Sequence, residues 1–404
     1  MKQNDWAKFP ILFSLYIAQS IPMSFFSTVV PIIMRQEQYS LASIGLLQLI
    51  KLPWVFKFLW APVVDNKGRT SGSLKRWIVF SEMFYALVIL CIGMFSLKTD
   101  FSLIVILIIL SFIASATQDI AVDKYAILTL KKEERGLGNS MQSAGSFIGS
   151  LFGTGILLMA YHYYGWSNVL LLLSLFIVVA VLPLLLRKEQ SPIQQATLPS
   201  RKVNLKDIVA FFSAQNNLPH ILILIFYYSG IIGIMTMLKP FMVDLGYSTK
   251  EIAFMLGIFG CSVAALCAFA SGFTIKLIGR KKALYLFLGI SFITALYFWV
   301  ISGIQSPTRG MLYMGIALIW GAYGLSTVGV YTISMDQVRP GREGTDFTIQ
   351  IMLTHLSSLL ISSMSGKISD LWGYSNLFLI EAGLSLLTFF ILSLSKREKN
   401  IHAV

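Results

Sequence analysis

FSLIVILIILSFIASATQDIAVDKYA, residues 101–126, is the stretch from which the fold class can be inferred. Its first 18 residues contain no charge, and an apolar run of about 20 residues is what a helix needs to cross a bilayer. Two carboxylates then follow, Asp119 and Asp123, one helical turn apart, with Lys124 beside the second. The stretch therefore predicts a transmembrane helix that carries charge on one face before it has left the membrane.

The whole chain has the composition of a membrane protein. Of its 404 residues, 56% are hydrophobic and 13% are charged, and the mean hydropathy is +0.73, whereas about 25% charged residues is typical of a soluble domain. The first apolar stretch begins at Phe9, is too long for a signal-peptide core and lacks a small-residue cleavage site, so we expect a retained helix. We predict an all-α polytopic membrane protein with twelve transmembrane helices, at residues 9–34, 41–61, 77–97, 101–127, 139–161, 167–187, 219–243, 250–276, 282–304, 310–334, 345–366 and 375–395.

Lysine and arginine are distributed unevenly between the predicted connections. The termini and the even-numbered connections carry 23 of these residues, whereas the odd-numbered connections carry four. The positive-inside rule therefore places both termini in the cytoplasm. The net charge of +13 follows mostly from this topology and is not a sign of nucleic-acid binding.

The chain contains an internal repeat with an offset of 208 residues. The repeat predicts two six-helix domains, residues 1–187 and 219–404, joined by a cytoplasmic linker at 188–218. Two such repeats are typical of transporters whose binding site lies between the halves, near the bilayer midplane. Identities at this offset are Tyr39-Ser40 with Tyr247-Ser248, Gly136 with Gly344, Gly165 with Gly373, and Ser167-Asn168 with Ser375-Asn376.

Two predicted loops carry related signatures, APVVDNKGR at 61–69 and GFTIKLIGRK at 272–281. Both resemble the G-x-x-x-D-x-x-G-R-[RK] signature of the major facilitator superfamily. In the first copy Ala61 replaces the first glycine and Thr70 replaces the last basic residue, and in the second copy Lys276 replaces the aspartate. Glycine allows a short turn, an acid suits a helix end, and arginines can bridge to neighbouring helices. The residues that we expect to control gating are Asp65, Gly68, Arg69, Gly272, Gly279 and Arg280.

The resemblance extends to one branch of that superfamily. KFLWAPVVD (57–65), TQDIAVD (117–123) and EERGLGN (133–139) are similar to sequences of AmpG-type muropeptide permeases, acetyl-coenzyme A transporters and certain siderophore permeases. This resemblance implies a monomeric, proton-coupled importer of an amphiphilic small molecule in a bacterial inner membrane, with no cofactor. It favours anhydro-muropeptides of cell-wall recycling as the substrate. A siderophore permease is the alternative, which GLGNSMQ (136–142) favours.

The charged residues of the predicted helix 101–127 have candidate partners. At 1.5 Å per residue, Asp119 lies about 7 Å and Asp123 about 13 Å to the cytoplasmic side of the helix midpoint. A carboxylate at such a depth must be paired or protonated. Counted from the cytoplasmic end, Lys57 lies level with Asp123, and Lys51 lies within a turn of Asp119. We expect Asp123, Lys57 and Lys51 to form an ion-pair clasp.

Two interpretations of Asp119 stay open. It can belong to the structural clasp, or it can be the proton-coupling residue while Lys51 meets an anionic substrate. The positions equivalent to Asp119 and Asp123 in the second half are Thr327 and Tyr331, which carry no carboxylate. A purely architectural charge would more easily survive in both copies, so we favour proton coupling by Asp119.

Aromatic, amide and hydroxyl side chains accompany these charges on helices that line the cavity in this superfamily. Such groups suit a bulky amphiphilic ligand, although each is also common in helix packing. The participation of Lys239 and His355 is left open. The expected cavity residues are Tyr16, Gln19, Tyr227, Tyr228, Tyr323 and Tyr331.

The predicted helix 139–161 carries a glycine pattern. Gly145, Gly149 and Gly153 recur every four residues and share one helix face. Small residues at this spacing let two helices approach closely, and we expect a hinge or sliding contact between the halves here.

The sequence contains no motif for ATP binding or for enzymatic chemistry. It has no G-x-x-x-x-G-K-[ST] phosphate loop, nucleophile elbow or metal-ligand pattern, and we predict that the protein is not an enzyme. Cys91, Cys261 and Cys267 fall inside predicted helices without metal or redox spacing. From another functional class, a membrane sensor that binds a ligand without moving it is the remaining alternative, although the tail Lys396–Val404 is too short for an output domain.

Overall fold

The computed structural model describes residues 6–36, 38, 50–97, 99–187, 202–213 and 217–401. Every regular element in these ranges is a helix. The predicted beginning of the second transmembrane helix at 41–49, the Tyr39-Ser40 identity and most of the linker 188–218 lie outside the described residues.

The described chain forms α-helices, several of which join end to end within one transmembrane pass. A 3₁₀ turn at Lys57–Leu59 joins α2 to α3, and π-helical turns at Phe152–Ile156 and Ala253–Gly260 join α6 to α7 and α11 to α12. The helices are α1 Lys8–Gln36, α2 Leu52–Phe56, α3 Ala61–Lys67, α4 Ser71–Ile92, α5 Phe101–Thr129, α6 Arg135–Leu151, α7 Leu157–Leu186, α8 Leu205–Ser213, α9 Leu218–Phe226, α10 Ser229–Asp244, α11 Thr249–Ile252, α12 Cys261–Ile278, α13 Arg280–Ser302, α14 Arg309–Asp336 and α15 Glu343–Ile401.

These helices make the twelve transmembrane passes that the sequence predicts. Eight stretches of the described chain are long and apolar enough to cross a membrane, and two of them, Lys132–Leu186 and Glu343–Leu394, contain two passes each. The passes within α7 and α15 are separated at Gly165 and Gly373, where the backbone is non-helical. The helix α4 and the pass that ends with α2 and α3 complete the set.

The two halves repeat one backbone plan. The helices α5 and α14 begin 208 residues apart, at Phe101 and Arg309. The kinks at Gly165 and Gly373 are also 208 residues apart, with φ values of 75° and 77°. Only glycine adopts this left-handed region without strain, so the same conformation requires glycine at both positions. The predicted arrangement of two six-helix repeats is therefore confirmed.

Contacts divide the chain into two units. Each unit has its own apolar core, which includes Phe26 and Phe112 in the first unit and Phe298 and Phe378 in the second. The predicted domain boundaries at residues 187 and 219 stay a prediction. The first unit comprises Met1–Leu205 and Val338–Thr348, and the second comprises Lys206–Gln337 and Ile349–Val404.

The glycine pattern on α6 lies against α1 inside the first unit. A Cβ atom added at Gly145 would stand 2.8 Å from the carbonyl oxygen of Phe13, and one at Gly149 would stand 2.7 Å from Cβ of Ser20. These distances are shorter than van der Waals contact, so the glycines allow the two backbones to approach. The glycine pattern therefore holds two helices of the first unit together, and a contact between the halves stays a prediction.

We expect Gly149→Ala to destabilise the protein by about 1–3 kcal/mol, because the added methyl group overpacks the contact with α1. The thermal midpoint of the purified protein in detergent measures this effect. Gly383→Ala is the matched control, since Gly383 is an exposed helical glycine whose added Cβ would meet no atom within 4 Å. Equal midpoints for the two variants would show that α1 gives way without cost.

Candidate functional site

The C-terminal half of α5 carries charged side chains that the fold buries. Asp119, Asp123 and Lys124 are each 3% exposed, and Lys57 is 2% exposed. Because successive residues of a helix point about 100° apart, these three residues of α5 reach different neighbours. Buried charges require partners, and each of these residues has them.

Asp119 is paired with the lysine of the neighbouring pass. Its Oδ2 accepts from Nζ of Lys57, and its Oδ1 accepts a 2.9 Å hydrogen bond from Nε2 of Gln19 on α1. The ammonium of Lys57 also lies over the ring of Trp54, 4.8 Å from the ring centroid. The carboxylate and the ammonium are thus both satisfied inside the first unit.

Asp123 has neutral partners. Its Oδ1 accepts from the hydroxyl of Tyr16 on α1 and, at 3.2 Å, from Nε2 of Gln142 on α6. The expected Lys57–Asp123 pair is therefore replaced by Lys57–Asp119. The depth count assumed a regular helix around Lys57, whereas a 3₁₀ turn begins at that residue and changes where its side chain points. Lys51 precedes α2 and is half-buried.

A second cluster surrounds Asp65, which lies in the last turn of α3 and is 2% exposed. Its carboxylate accepts from the backbone N–H groups of Gly344 at 3.0 Å and Thr345 at 2.7 Å, and from the Thr345 hydroxyl at 2.5 Å. Nζ of Lys124 donates to the same carboxylate at 2.8 Å and lies 3.8 Å from the carboxylate of Glu343. Asp65 therefore caps the beginning of α15, where free N–H groups and the helix dipole favour a negative charge.

The other residues of the first loop signature have different environments. Gly68 ends α3, and a Cβ atom there would stand 2.6 Å from Cδ2 of Leu74. Arg69 is exposed. The sequence predicted an acid at a helix end, but it placed Asp65 in an open loop, whereas the structure buries it against α15.

The second loop signature forms no such cap. Gly272 is buried within α12, and Gly279, with a φ of 81°, forms the turn between α12 and α13. Arg280 forms an ion pair with Asp336 at the end of α14. The arginine thus bridges to a neighbouring helix, as its place in the signature led us to expect.

The aromatic residues assigned to a cavity divide into two groups. Tyr16 and Gln19 are buried partners of the α5 carboxylates. In the second unit, the hydroxyl of Tyr227 donates to the carbonyl of Leu284 at 2.9 Å, which makes Tyr227 a packing residue.

Tyr228 stands with its ring 5.9 Å from that of Tyr323, and Tyr331 is half-buried against the same core. Lys239 and His355 are exposed. The structure thus brings Tyr228, Tyr323 and Tyr331 together within the second unit.

Three polar residues of the first unit were assigned no role from the sequence. Gln142 donates to Asp123, Lys124 neutralises Asp65, and Glu82 is a buried carboxyl group on α4. For Lys124 a signal existed, because a lysine within a predicted membrane helix is expensive unless it is paired.

Comparison with known proteins places these features in a family. The family model of the Major Facilitator Superfamily matches residues 12–361. An uncharacterized protein of Haemophilus influenzae is 26% identical over 395 residues, which cover 94% of this chain and 93% of the relative. The anhydromuropeptide permease of Escherichia coli strain K12 is 23% identical over 378 residues, which cover 91% of this chain and 76% of the relative.

A solved structure shares the fold. The crystal structure of a bacterial homologue of the iron transporter ferroportin, in an outward-facing state, matches with a TM-score of 0.73 and 17% identity, covering 97% of this chain and 99% of that chain. At this identity the likeness concerns the fold alone. The twelve passes, the two repeats, the paired loop signatures and the family match agree: the chain belongs to the major facilitator superfamily, and it is a membrane transporter rather than an enzyme.

Proposed function

We propose that this transporter imports an amphiphilic solute across a bacterial inner membrane, driven by protons and by alternating access. Both termini are assigned to the cytoplasm, because basic residues concentrate on that side of the predicted topology. An anhydro-muropeptide is the proposed substrate, after the name of the Escherichia coli relative and the sequence resemblance. The protein acts as a monomer without a cofactor.

The alternating-access part of the proposal is supported by the segment Val338–Thr348, which belongs to the first unit. Its N–H groups at Gly344 and Thr345 are held by Asp65, whereas the chain on both sides of the segment belongs to the second unit. In this proposal, a rocking of residues 1–187 against 219–404 pulls the segment away from Asp65 and breaks these hydrogen bonds. Asp65 is therefore the latch of the cycle in this proposal, and Gly68 and Arg69 shape the turn that presents it.

The buried Lys57–Asp119 pair supports an anionic solute. A carboxylate that reached Lys57 would compete with Asp119 for the ammonium. An Asp119 displaced from its lysine inside the membrane would then take up a proton, because an unpaired carboxylate is costly there. Binding of an anionic group and binding of a proton would thus be coupled at one pair, and the peptide carboxylates of a muropeptide would supply the anion.

We expect labelled anhydro-muropeptide to accumulate inside membrane vesicles only when protons flow into the vesicle together with the solute. Right-side-out and inverted vesicles can both be used. An uncoupler should abolish accumulation and leave counterflow exchange intact. Vesicles from cells without the protein are the control, and a labelled siderophore is tested in parallel.

Each other result would change the assignment. Accumulation of the siderophore alone would identify the protein as a siderophore permease. Saturable binding of the muropeptide without any counterflow would contradict import of that solute and would favour a sensor.

A further inference from the structure

A second buried carboxyl group lies on α4, outside the ion-pair network. Glu82 is the twelfth of the 22 residues of this helix and is 1% exposed. Its Oε1 accepts a 2.8 Å hydrogen bond from Nε2 of Gln118 on α5. Its Oε2 is buried and has no hydrogen-bond partner in the part of the chain that the structure describes.

The surroundings of Glu82 contain a further unsatisfied polar atom. Tyr85 lies one turn along α4 and close to Glu82, and Ser115 lies one turn before Gln118 on α5, so all four residues share one helix interface. The Tyr85 and Ser115 hydroxyls lie close enough to interact with each other. Oε1 of Gln118 is buried, and the described residues offer it no hydrogen bond, so it can accept one additional donor hydrogen.

Three other buried carboxylates among the described residues have stronger partners than Glu82, whereas Asp123 has two neutral partners. Asp119 has the ammonium of Lys57, and Asp65 has the ammonium of Lys124 and two backbone N–H groups. Glu381 accepts from the backbone N–H groups of Gly233 and Ile234. Glu82 has one neutral amide, which is too little to hold a negative charge in a buried helix interface.

Within the described ranges, the helices that pack on α4 offer no cation to Glu82. The helix α4 packs against α5 and α7. The charged residues of α5, namely Asp119, Asp123 and Lys124, are engaged with the partners described above. The helix α7 carries no charged residue, and its titratable residues are Tyr161, His162, Tyr163 and Tyr164, of which His162 is exposed.

We propose that Glu82 is a proton-binding site of this transporter, separate from Asp119, and that it holds a proton in the conformation described. The acid hydrogen on Oε2 supplies the donor that Oε1 of Gln118 lacks, and together with the existing bond from Nε2 of Gln118 it makes a reciprocal pair. A role for this proton in transport rests on the proposed proton-driven function, whereas the bound proton itself does not.

The test is infrared spectroscopy of the purified protein without substrate, at neutral pH. We expect a C=O stretching band of a protonated carboxylic acid that disappears in Glu82→Gln. Gln118→Leu should shift this band without removing it, because the acid loses its hydrogen-bond partner. Glu251→Gln is the control and should leave the band unchanged, since Glu251 forms an ion pair with Arg309 at a helix end.

Stability provides the second measurement. If Glu82 is protonated, Glu82→Gln replaces a neutral carboxylic acid by a neutral amide of the same shape. The variant should therefore keep the wild-type thermal midpoint at neutral pH. A variant that unfolds, or a spectrum identical to that of the wild type, would overturn the proposal. Neither result depends on the substrate, so failure here is distinguishable from failure of muropeptide uptake.

Discussion

Asp119→Leu will sharply reduce the amount of folded protein, because it leaves the ammonium of Lys57 buried without its carboxylate. Lys57 is 2% exposed and cannot reach water without a rearrangement of its turn. Removing one partner of a buried ion pair costs about 3–5 kcal/mol, a large part of the roughly 5–15 kcal/mol by which proteins are stable. Thermal midpoint and yield after detergent extraction measure this loss.

The double variant Asp119→Leu/Lys57→Met separates stability from function. Replacing a buried pair by apolar residues of similar size is often neutral or stabilising, so folding should return. Transport should stay absent if the pair binds the anionic solute and the proton. A double variant that folds and accumulates substrate at the normal rate would make the pair purely structural and would move the coupling role elsewhere.

An exposed ion pair provides the control for this comparison. Arg309 and Glu251 form a pair whose side chains are 69% and 35% exposed. Water compensates such charges when a partner is lost, so Glu251→Gln should leave the thermal midpoint near that of the wild type. Both Asp119→Leu and Glu251→Gln remove one carboxylate from one ion pair. The difference between their thermal midpoints therefore measures the effect of burying the ion pair.

The architecture could be predicted because it follows from patterns that are visible in the sequence itself. Apolar runs of membrane length mark the passes, and identities at a constant offset, such as Gly165 with Gly373, mark the duplication. Both glycines have the same φ region because the same kink between passes is built twice.

The partners inside the site could not be predicted in the same way. A depth count along straight helices pairs Lys57 with Asp123, but a 3₁₀ turn beginning at Lys57 redirects its side chain towards Asp119. Two of the four donors to the Asp65 carboxylate are backbone N–H groups at the start of α15, and such donors leave no mark in the residue types. Glu82 was overlooked, although an acid within the predicted membrane helix 77–97 is costly unless it is paired or protonated.

Asp65→Asn will change the speed of conformational exchange far more than it changes affinity. The substitution removes the negative charge that holds two N–H groups, the Thr345 hydroxyl and the ammonium of Lys124. An asparagine oxygen can still accept from one of these donors, but its NH₂ group faces donors that it cannot pair with. Because Asp65 shares no hydrogen-bond partner with Lys57 or Asp119 among the described residues, ligand affinity should stay within about threefold of the wild type, or roughly 0.7 kcal/mol.

The release of this latch can be observed directly with spin labels at the exposed positions Thr70 and Pro340, which flank Asp65 and the start of α15. The distance distribution should be narrow in the wild type and broad in Asp65→Asn, while counterflow slows or loses its dependence on substrate. Thr345→Val removes only the hydroxyl donor and should give a smaller change in the same direction, since both backbone N–H bonds remain. A narrow distribution in Asp65→Asn together with a large loss of affinity would place Asp65 in solute binding, because the charge would then be needed by the ligand and not by the helix that it caps.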